Sequence, residues 1–381
     1  MKNSLLLLFM SALLFASCIK DEPLNTECDI VSAWVEGAQY AENFYQSSQM
    51  RIENLSTTEK EIVFTVRSLL SLPTSLPVYF DITPGATSEP ANGSPQDFTK
   101  GPVTYTVTSQ DGEWHRQYTV MFKEASLPIY KYSFEHFETI VSYSNSYHEF
   151  YEVDQSGNRL NIWASGNIGA IMAKYDSKPE DQPTYSLEAG YQGRGVCLNT
   201  QDAGSLGQFF GKPIAAGNLF MGRFLLEHVL SNPLKSTEFG RLIDRVPVRV
   251  TGYYKYRPGA VFTDQKMHEV PGRTDEASIY AVFYRNKDED GKDVYLYGDN
   301  VLSSPYIVRK AEVASLPPTD QWTRFEMFFE GGEADDQLLD SQGYNMTLVF
   351  SSSKGGASFE GAIGSELCID EVEVSFENDD D

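Results

Sequence analysis

Short runs of β-forming residues, broken by turn residues, constrain the fold of this chain more than any other feature. The runs are rich in Val, Ile, Tyr, Phe and Thr, and Gly, Pro, Asn and Asp interrupt them. This spacing is typical of sandwiches of antiparallel strands, in which alternate side chains face a core. With 41% hydrophobic and 13% aromatic residues, the chain can fill such cores. The sequence therefore predicts an all-β protein.

The runs fall into two blocks, which predict two domains. Residues 28–123 hold about six or seven short strands, enough for one immunoglobulin-like sandwich. Residues 124–128 are a predicted linker. Residues 129–377 hold longer strands and longer loops, which favours a jelly roll of two antiparallel sheets. Residues 378–381 form an acidic tail.

Individual strands are predicted where apolar and polar residues alternate. In the first block the segments are Ile62–Val66, Val78–Ile82, Val103–Val107 and Tyr118–Phe122, with an Asp-Gly turn between the last two. In the second block they are Val246–Tyr256, Ser278–Tyr284, Val294–Tyr297, Arg324–Phe329, Asn345–Phe350 and Leu367–Phe376. The segment Leu219–Val229 is compatible with a helix or with a strand followed by a turn.

The N-terminal 17 residues have the pattern of a lipoprotein signal peptide. Lys2 gives a positive start, Leu5–Ala16 is almost wholly apolar, and Ala16-Ser17-Cys18 fits a lipobox. The apolar run is too short to span a bilayer, which takes roughly 20 residues. We therefore predict cleavage before Cys18, acylation of Cys18, and a tether over residues 18–27. The alternative is an ordinary secreted protein in which Cys18 is incidental.

The residues after Cys18 predict where the protein is anchored. Lys20-Asp21-Glu22 resembles the Lys-plus-acidic signal that directs Bacteroidetes lipoproteins to the cell surface. We expect an outer-membrane, cell-surface lipoprotein held by its lipid alone, because no second long apolar run exists. The formal charge of −24 argues against nucleic acid as a partner and against charge-driven contact with anionic membranes.

Three further cysteines cannot form a closed set of disulfides, because their number is odd. Cys197 and Cys368 stand in apolar, strand-like contexts, which favours small core residues. Pairing of Cys28 with Cys197 or Cys368 stays open. The chain has no Cys-x-x-Cys motif, so the sequence supports neither a thiol redox site nor a zinc ribbon.

Four segments of the second block carry a recognisable pattern. They are Trp163–Asn167, Gly252–Gly259, Ile279–Tyr284 and Ser351–Phe376. In this order and spacing, residues 129–377 resemble the PCMD family, the "putative carbohydrate metabolism domain" of Bacteroidetes surface lipoproteins. The first block, including Thr83–Ala86 and Asp97–Thr99, is similar to the Ig-like domain often found ahead of PCMD. The resemblance implies a jelly roll related in shape to carbohydrate-binding modules, and it supplies no active site.

Outward-facing aromatic and polar side chains of two predicted strands form the candidate glycan site. Sugar-binding surfaces combine flat rings with fixed hydrogen-bonding groups. Alternation places one set of side chains in the core: Val246, Val248, Val250, Gly252, Tyr254, Tyr256, Ile279, Ala281 and Phe283. The opposite faces carry the candidates: Tyr253, Lys255, Arg257, Tyr280 and Tyr284. If the two strands are neighbours, these five side chains meet. Trp163 is a further candidate, and the alternative is that the rings pack in the core.

Signatures of catalysis are mostly absent from the sequence. The five histidines form no His-Glu-x-x-His motif, and no Gly-x-Ser-x-Gly elbow occurs. A glycoside hydrolase needs two carboxylates roughly 5–9 Å apart, and no spacing among the 54 acidic residues identifies such a pair. We favour a glycan-binding module with the first domain as a spacer. The alternatives are a glycoside hydrolase and a structural or adhesive module.

A structural calcium ion is the one possible cofactor, and none is required by the predicted function. Alternation puts Asp370 on the predicted core face with Cys368 and Val372, where an ionised carboxylate is costly unless paired or metal-bound. Similarity to carbohydrate-binding jelly rolls implies calcium between Asp370 and Glu135. The alternatives are that Asp370 accepts hydrogen bonds from backbone N–H groups or an arginine, or that a β-bulge turns it to solvent. Asp288–Asp293 resembles a calcium loop, but a hairpin turn is favoured.

Overall fold

The computed structural model of the 381-residue chain describes residues 23–44, 47–56, 58, 60–66, 68–124, 129–154 and 157–377. The predicted signal peptide, Cys18, Lys20-Asp21-Glu22, most of the linker and the acidic tail lie outside the described residues. The chain divides into two compact units, one ending at Ser126 and the other beginning at Leu127. Among the described residues, no helix combines the length and apolar character needed to cross a bilayer.

The first unit is built from short strands. They are β1 Ile30–Trp34, β2 Arg51–Ile52, β3 Glu61–Val66, β4 Leu76–Pro77, β5 Tyr79–Ile82, β6 Thr87–Glu89, β7 Pro95–Gln96, β8 Val103–Thr108 and β9 His115–Glu124. The 3-10 helices of this unit are Ala38–Asn43, Ser47–Met50 and Phe98–Lys100.

Two sheets enclose the core of the first unit. One has the order β2-β1-β5 and the other β3-β9-β8-β6, in which β3 runs parallel to β9. Phe80 of β5 meets Tyr105 of β8 with ring centres 4.8 Å apart, so the core lies between the sheets. The Asp-Gly turn between β8 and β9 is present, with Gly112 at φ 76°. This arrangement fits the predicted immunoglobulin-like sandwich.

The second unit contains the remaining strands and the α-helices. The strands are β10 Ile129–Tyr132, β11 Phe137–Ser142, β12 Asn145–Phe150, β13 Glu152–Val153, β14 Arg159–Leu160, β15 Trp163–Ala164, β16 Thr184–Leu187, β17 Gly195–Asn199, β18 Gln201–Asp202, β19 Ile214–Ala215, β20 Asn218–Phe224, β21 Thr237–Phe239, β22 Arg241–Leu242, β23 Pro247–Arg257, β24 Phe262–Thr263, β25 Ser278–Arg285, β26 Leu296–Tyr297, β27 Ile307–Glu312, β28 Thr319–Phe328, β29 Glu330–Gly331, β30 Tyr344–Ser351, β31 Gly361–Ala362 and β32 Glu366–Phe376. The helices are α1 Asn167–Ala170, α2 Gly204–Phe209 and α3 Asp336–Asp340, with 3-10 turns at Ile171–Ala173, Pro179–Asp181, Leu226–His228, Pro233–Lys235 and Gly356–Ser358.

Two antiparallel sheets enclose the main core of the second unit. The six-stranded sheet has the order β16-β17-β32-β23-β28, with β10 also paired to β32. The nine-stranded sheet has the order β26-β21-β20-β30-β25-β27-β29, with β15 paired to β20 and β22 to β30. Val250 and Ile369 of the first sheet pack with Phe283 and Leu348 of the second, and all four are fully buried. The prediction of an all-β, jelly-roll sandwich is confirmed.

The ambiguous segment Leu219–Val229 is a strand, β20, followed by a 3-10 turn. Leu219 and Met221 pack into the main core, whereas Phe220 packs into a second apolar layer on the other side of the sheet. Because both faces are covered here, residues 219–221 are all apolar and lack the alternation of a half-exposed strand. The segment Asp288–Asp293, which resembles a calcium loop, forms the hairpin turn that the sequence favours. The Asp288 carboxylate accepts the N–H groups of Asp290 and Lys292 within this turn.

A β-bulge at Glu371 changes the phase of β32. Glu371 has φ 50°, and the register between β23 and β32 shifts at this point. Ile369 before the bulge and Val372 after it both face the main core. Asp370 therefore points away from the core, and the prediction that it shares a face with Val372 is wrong. The bulge does not turn Asp370 to solvent, because this residue is fully buried. Its carboxylate accepts the N–H groups of Gln192 and Glu371, as the hydrogen-bond alternative predicted.

Candidate functional site

The five predicted glycan contacts lie on two different sheets. Tyr253, Lys255 and Arg257 belong to β23 in the six-stranded sheet, and Tyr280 and Tyr284 belong to β25 in the nine-stranded sheet. Alternation predicted the outward face of each strand correctly. The two strands, however, pair with different partners and lie on opposite sides of the main core. The prediction that the five side chains meet is therefore wrong.

On the six-stranded sheet the predicted residues contact other side chains. Tyr253 stacks on Tyr191, with ring centres 3.6 Å apart and planes inclined by 8°. The Lys255 ammonium lies 4.9 Å from the centre of the Trp322 ring. Arg257 donates to a Glu366 oxygen at 3.4 Å. An open cavity of ≈440 Å³ lies beside Lys255 and Arg257, and Tyr256 is its one aromatic lining residue among those described.

Tyr284 and Trp163 are buried, so the prediction that they contact glycan is wrong. The Tyr284 hydroxyl donates to the Phe239 carbonyl at 2.6 Å, and both residues belong to the second apolar layer. Trp163 packs in the main core, and its Nε1 donates to Glu152 at 2.8 Å. Burial raises the pKa of the Glu152 carboxyl to about 7. Both rings stabilise the sandwich instead of facing solvent.

Tyr280 lines a cavity of ≈370 Å³ over the outward face of the nine-stranded sheet. This volume lies within the range of small-molecule sites. Side chains of β20, β25 and β30 contribute to the lining, and residues from segments 166–174, 201–216, 229–237 and 351–359 complete it. Tyr280 is therefore the one predicted glycan contact that lies in this cavity.

Aromatic rings make up much of the cavity lining. They are Phe210, Phe220, Phe224, Phe239, Tyr280 and Phe359. Gly169 of the cavity wall lies against one of these rings, since a Cβ there would be in van der Waals contact with Phe224 at 3.4 Å. The same wall is fixed by Asn218, whose Oδ1 accepts the N–H of Gly166 at 2.9 Å. The rings thus belong to an ordered site.

Polar side chains occupy the same cavity. Those that carry charge are Lys174, Asp202, Lys212 and Lys354. Gln201, Asn218, Ser278 and Ser351 add neutral hydrogen-bonding groups. Among the described residues that line the cavity, Asp202 is the one carboxylate. The cavity therefore combines aromatic surface with hydrogen-bonding groups and with little negative charge.

Most of the cavity could not be predicted from local sequence pattern, because many of its walls are loops and short helices. Residues such as Lys174, Phe210 and Lys212 lie in short helices and loops without alternation. The one usable signal was a concentration of glycine and aromatic residues, as in Gly-Gln-Phe-Phe-Gly at residues 207–211. Such a cluster predicts a tight loop that presents rings, but it does not predict which sheet the loop covers.

The two candidate calcium ligands contact the same loop. The Asp370 carboxylate accepts the N–H of Gln192 at 2.9 Å, and the Glu135 carboxylate accepts the N–H of Arg194 at 2.9 Å. A Cβ on Gly193 would lie 2.0 Å from Glu135 Oε1, so this approach requires glycine. Burial raises the pKa of the Asp370 carboxyl to about 6. Two carboxylates against one loop provide oxygen donors of the kind that calcium binds. Glu135 and Asp370 are therefore chemically suited to hold a calcium ion.

Comparisons with known proteins match both units of the chain. A family profile described as "Putative carbohydrate metabolism domain" (PCMD) matches residues 133–375, and one described as "SGBP, N-terminal" matches residues 46–121. A crystal structure from Bacteroides thetaiotaomicron, described as a putative glycoside hydrolase, is 35% identical with a TM-score of 0.60, covering 94% of this chain and 99% of that chain. Another from Bacteroides vulgatus, described in the same words, is 36% identical with a TM-score of 0.60, covering 65% of this chain and 98% of that chain. A search of curated proteins found no match.

Proposed function

We propose, from the premise that this chain belongs to the PCMD family, that its second unit binds glycan in the cavity over the nine-stranded sheet. The observation that carries the proposal is the combination of aromatic rings around Tyr280 with hydrogen-bonding side chains in one ordered cavity. A sugar ring has apolar C–H faces and a polar rim, so a binding site needs both kinds of surface.

Binding without cleavage agrees better with the cavity than hydrolysis does. The two similar crystal structures are described as putative glycoside hydrolases. Glycoside hydrolysis uses a pair of carboxylates roughly 5–9 Å apart. Asp202 is the one carboxylate among the described lining residues, and its Oδ1 accepts the N–H of Gly204 at 2.8 Å. A second carboxylate for the reaction is therefore missing from this part of the site.

The binding experiment compares two neighbouring phenylalanines in the full chain. Phe210 lines the cavity, whereas Phe209 is 83% exposed and lies outside the lining. After a glycan array identifies a bound glycan, Phe210→Ala should weaken its binding by about 1–3 kcal/mol, the scale of aromatic stacking on flat ligands. Phe209→Ala should leave the affinity unchanged.

Two results would contradict this proposal. If no glycan on the array is bound, or if both phenylalanine variants have the same effect, the cavity is not a glycan site. Release of reducing sugar from the bound glycan would support the hydrolase alternative.

The proposal also locates the chain on the outer cell surface, anchored through the lipid on Cys18, with the first unit as a spacer. The lipobox and Lys20-Asp21-Glu22 support it. Cys18→Ser should abolish acylation and release a soluble form. Alanine at all three of Lys20, Asp21 and Glu22 should leave the protein lipidated but protected from external protease. Equal protease sensitivity of that variant on intact cells would contradict surface export.

A structural calcium ion is part of the same proposal. Glu135 and Asp370 would hold it, and backbone carbonyls would complete the six to eight oxygen ligands that calcium takes. The ion would supply positive charge where buried carboxylates are costly. The residues themselves already hold the loop at Gln192 and Arg194, as described above.

A further inference from the structure

Two lysines of the cavity have neutral hydrogen-bond acceptors. The Lys174 ammonium donates to Gln201 Oε1 at 2.6 Å and to the Asp181 carbonyl. The Lys212 ammonium donates to the carbonyls of Val229 and Leu230. In the described part of the chain, neither ammonium is within 4.0 Å of a carboxylate oxygen. Both ammonium groups therefore lack a directly bonded carboxylate, and the charge of Asp181 acts on Lys174 from a greater distance.

The charge of the cavity departs from that of the chain. The chain carries a formal charge of −24, yet its cavity holds three lysines and one aspartate. Lys354 is neutralised by Glu312 at 3.0 Å, so Lys174 and Lys212 outnumber Asp202 and leave the local charge positive. The Lys212 ammonium also lies 5.9 Å from the centre of the Phe210 ring, beside an aromatic residue of the lining.

Partial burial makes these charges costly in the free protein. Desolvation lowers the pKa of both Lys174 and Lys212. An anion that enters the cavity gains charge-assisted hydrogen bonds from these ammonium groups. The acceptors that now satisfy the ammonium groups are neutral, so exchange for an anionic oxygen is favourable.

We propose that the cavity selects glycans that carry an anionic group, a carboxylate or a sulfate, which Lys174 and Lys212 recognise. This inference rests on the proposed glycan-binding function and specifies its ligand class. The aromatic rings contact the sugar, and the two ammonium groups bind the acidic substituent.

Matched pairs of oligosaccharides test this selection with the full chain. The probes are oligogalacturonates with their methyl esters, and sulfated chondroitin oligosaccharides with their desulfated forms. The acidic member of a pair should bind about tenfold or more tightly than its neutral partner, the scale of hydrogen bonds to charged groups. Lys174→Gln or Lys212→Gln should remove that difference. Lys178→Gln, an exposed lysine outside the lining, is the control.

The outcomes separate this inference from the function on which it rests. Preference for the uronate pair identifies a carboxylate, and preference for the chondroitin pair identifies a sulfate. If neutral glycans bind equally well and Phe210→Ala still weakens them, the anion selection is wrong and glycan binding stands. If no probe and no arrayed glycan is bound, both are wrong.

A second inference comes from two cysteines on neighbouring strands. Cys197 of β17 and Cys368 of β32 are directly opposed Cα partners, and their sulfurs lie 2.6 Å apart. Both are buried, as predicted, but they lie on the outward face of the six-stranded sheet, because Leu198 and Ile369 beside them face the main core. Cα atoms of opposed antiparallel residues are about 4.5–5.5 Å apart, within the range that a disulfide spans.

We infer that Cys197 and Cys368 form a disulfide in the exported protein. Each thiol gives up one hydrogen atom and a sulfur–sulfur bond forms. A disulfide of a thiol–disulfide exchange partner takes up both electrons and both protons and becomes two thiols. Cys28 stays a free thiol in the first unit. The bond links β17 to β32 beside the loop that contacts Asp370.

Thiol counting in the exported Cys18→Ser, Cys28→Ser variant tests this pair alone, because only Cys197 and Cys368 remain. Alkylation in denaturant should label neither cysteine without reductant and both after reduction. Labelling of both without reductant would overturn the disulfide. Copurification of a metal with two thiols would do the same, since Glu366 lies close enough to join the cysteines as a ligand.

Discussion

The two sheets of the second unit present opposite kinds of outward face. On the nine-stranded sheet a second apolar layer buries Phe220, Val282 and Leu296, and the cavity lies on the same side. On the six-stranded sheet Tyr253 and Lys255 stay partly exposed and contact neighbouring rings. β23 of one sheet and β25 of the other both alternate between core and outward side chains. The difference lies in the loops and short helices that cover one sheet, and these create the enclosed site.

The largest expected effect separates a covered tyrosine from an exposed one. Tyr284→Ala should lower the free energy of unfolding by about 3–5 kcal/mol, because it removes a fully buried ring. Tyr253→Ala should cost less than about 1 kcal/mol, because its ring lies at the surface. Denaturant unfolding measures both. Tyr284→Phe, which keeps the ring and loses the hydrogen bonds to Phe239 and from Asn345, is the control and should cost about 1–3 kcal/mol. Similar losses for Tyr284→Ala and Tyr253→Ala would contradict the contrast between the faces.

A pH-dependent effect is expected beneath the nine-stranded sheet, at Glu152. Its pKa rises from an ordinary 4.5 to about 7 on folding, so the folded state keeps a proton that the unfolded state has released. The free energy of unfolding should therefore fall as pH rises from about 4.5 to 7, by about 3 kcal/mol from this group. Glu152→Gln keeps an acceptor for Trp163 and should remove this loss. Parallel pH profiles of the two proteins would contradict it.

Calcium removal tests the six-stranded side of the sandwich, where Asp370 meets its loop. Excess chelator should lower the melting temperature of the wild-type chain, since a ligand present at about a hundred times its Kd contributes about 2.7 kcal/mol. The melting temperature of Asp370→Asn should not respond to chelator. An unchanged wild-type melting curve, together with no metal in elemental analysis, would contradict the calcium proposal.

The smallest expected effect concerns glycan affinity on the two faces. Tyr280→Ala should weaken binding of the array-identified glycan by about 1–2 kcal/mol, because its ring lines the cavity. Tyr253→Ala should change the affinity by less than about 0.5 kcal/mol. Isothermal titration of both variants gives the comparison. If the order is reversed, the six-stranded sheet carries the glycan site.

Local alternation was enough to predict the fold class and the orientation of individual side chains. It placed Tyr254 in the core and Tyr253 outside it, and it did the same for Phe283 and Tyr280. These predictions succeed because side-chain direction in a strand repeats every two residues. The resemblance to PCMD added the ligand class, which alternation alone does not contain.

Sheet membership and sheet coverage could not be predicted from local pattern. β23 and β25 are close in sequence, but each pairs with strands from distant parts of the chain. The bulge at Glu371 inverts the alternation of β32 without a glycine or proline to mark it. The cavity walls depend on where loops fold back, which is decided by packing between distant segments.

The position of β32 has a consequence for how the second unit is made. β32 pairs with β10, β17 and β23. Cys368 of β32 and its partner Cys197 of β17 are separated by 171 positions along the chain. A ribosome completes the N-terminal strands long before their partner exists, and loop closure over such distances is slow. A nascent chain therefore exposes unpaired strand edges until β32 emerges, and such edges are prone to aggregation.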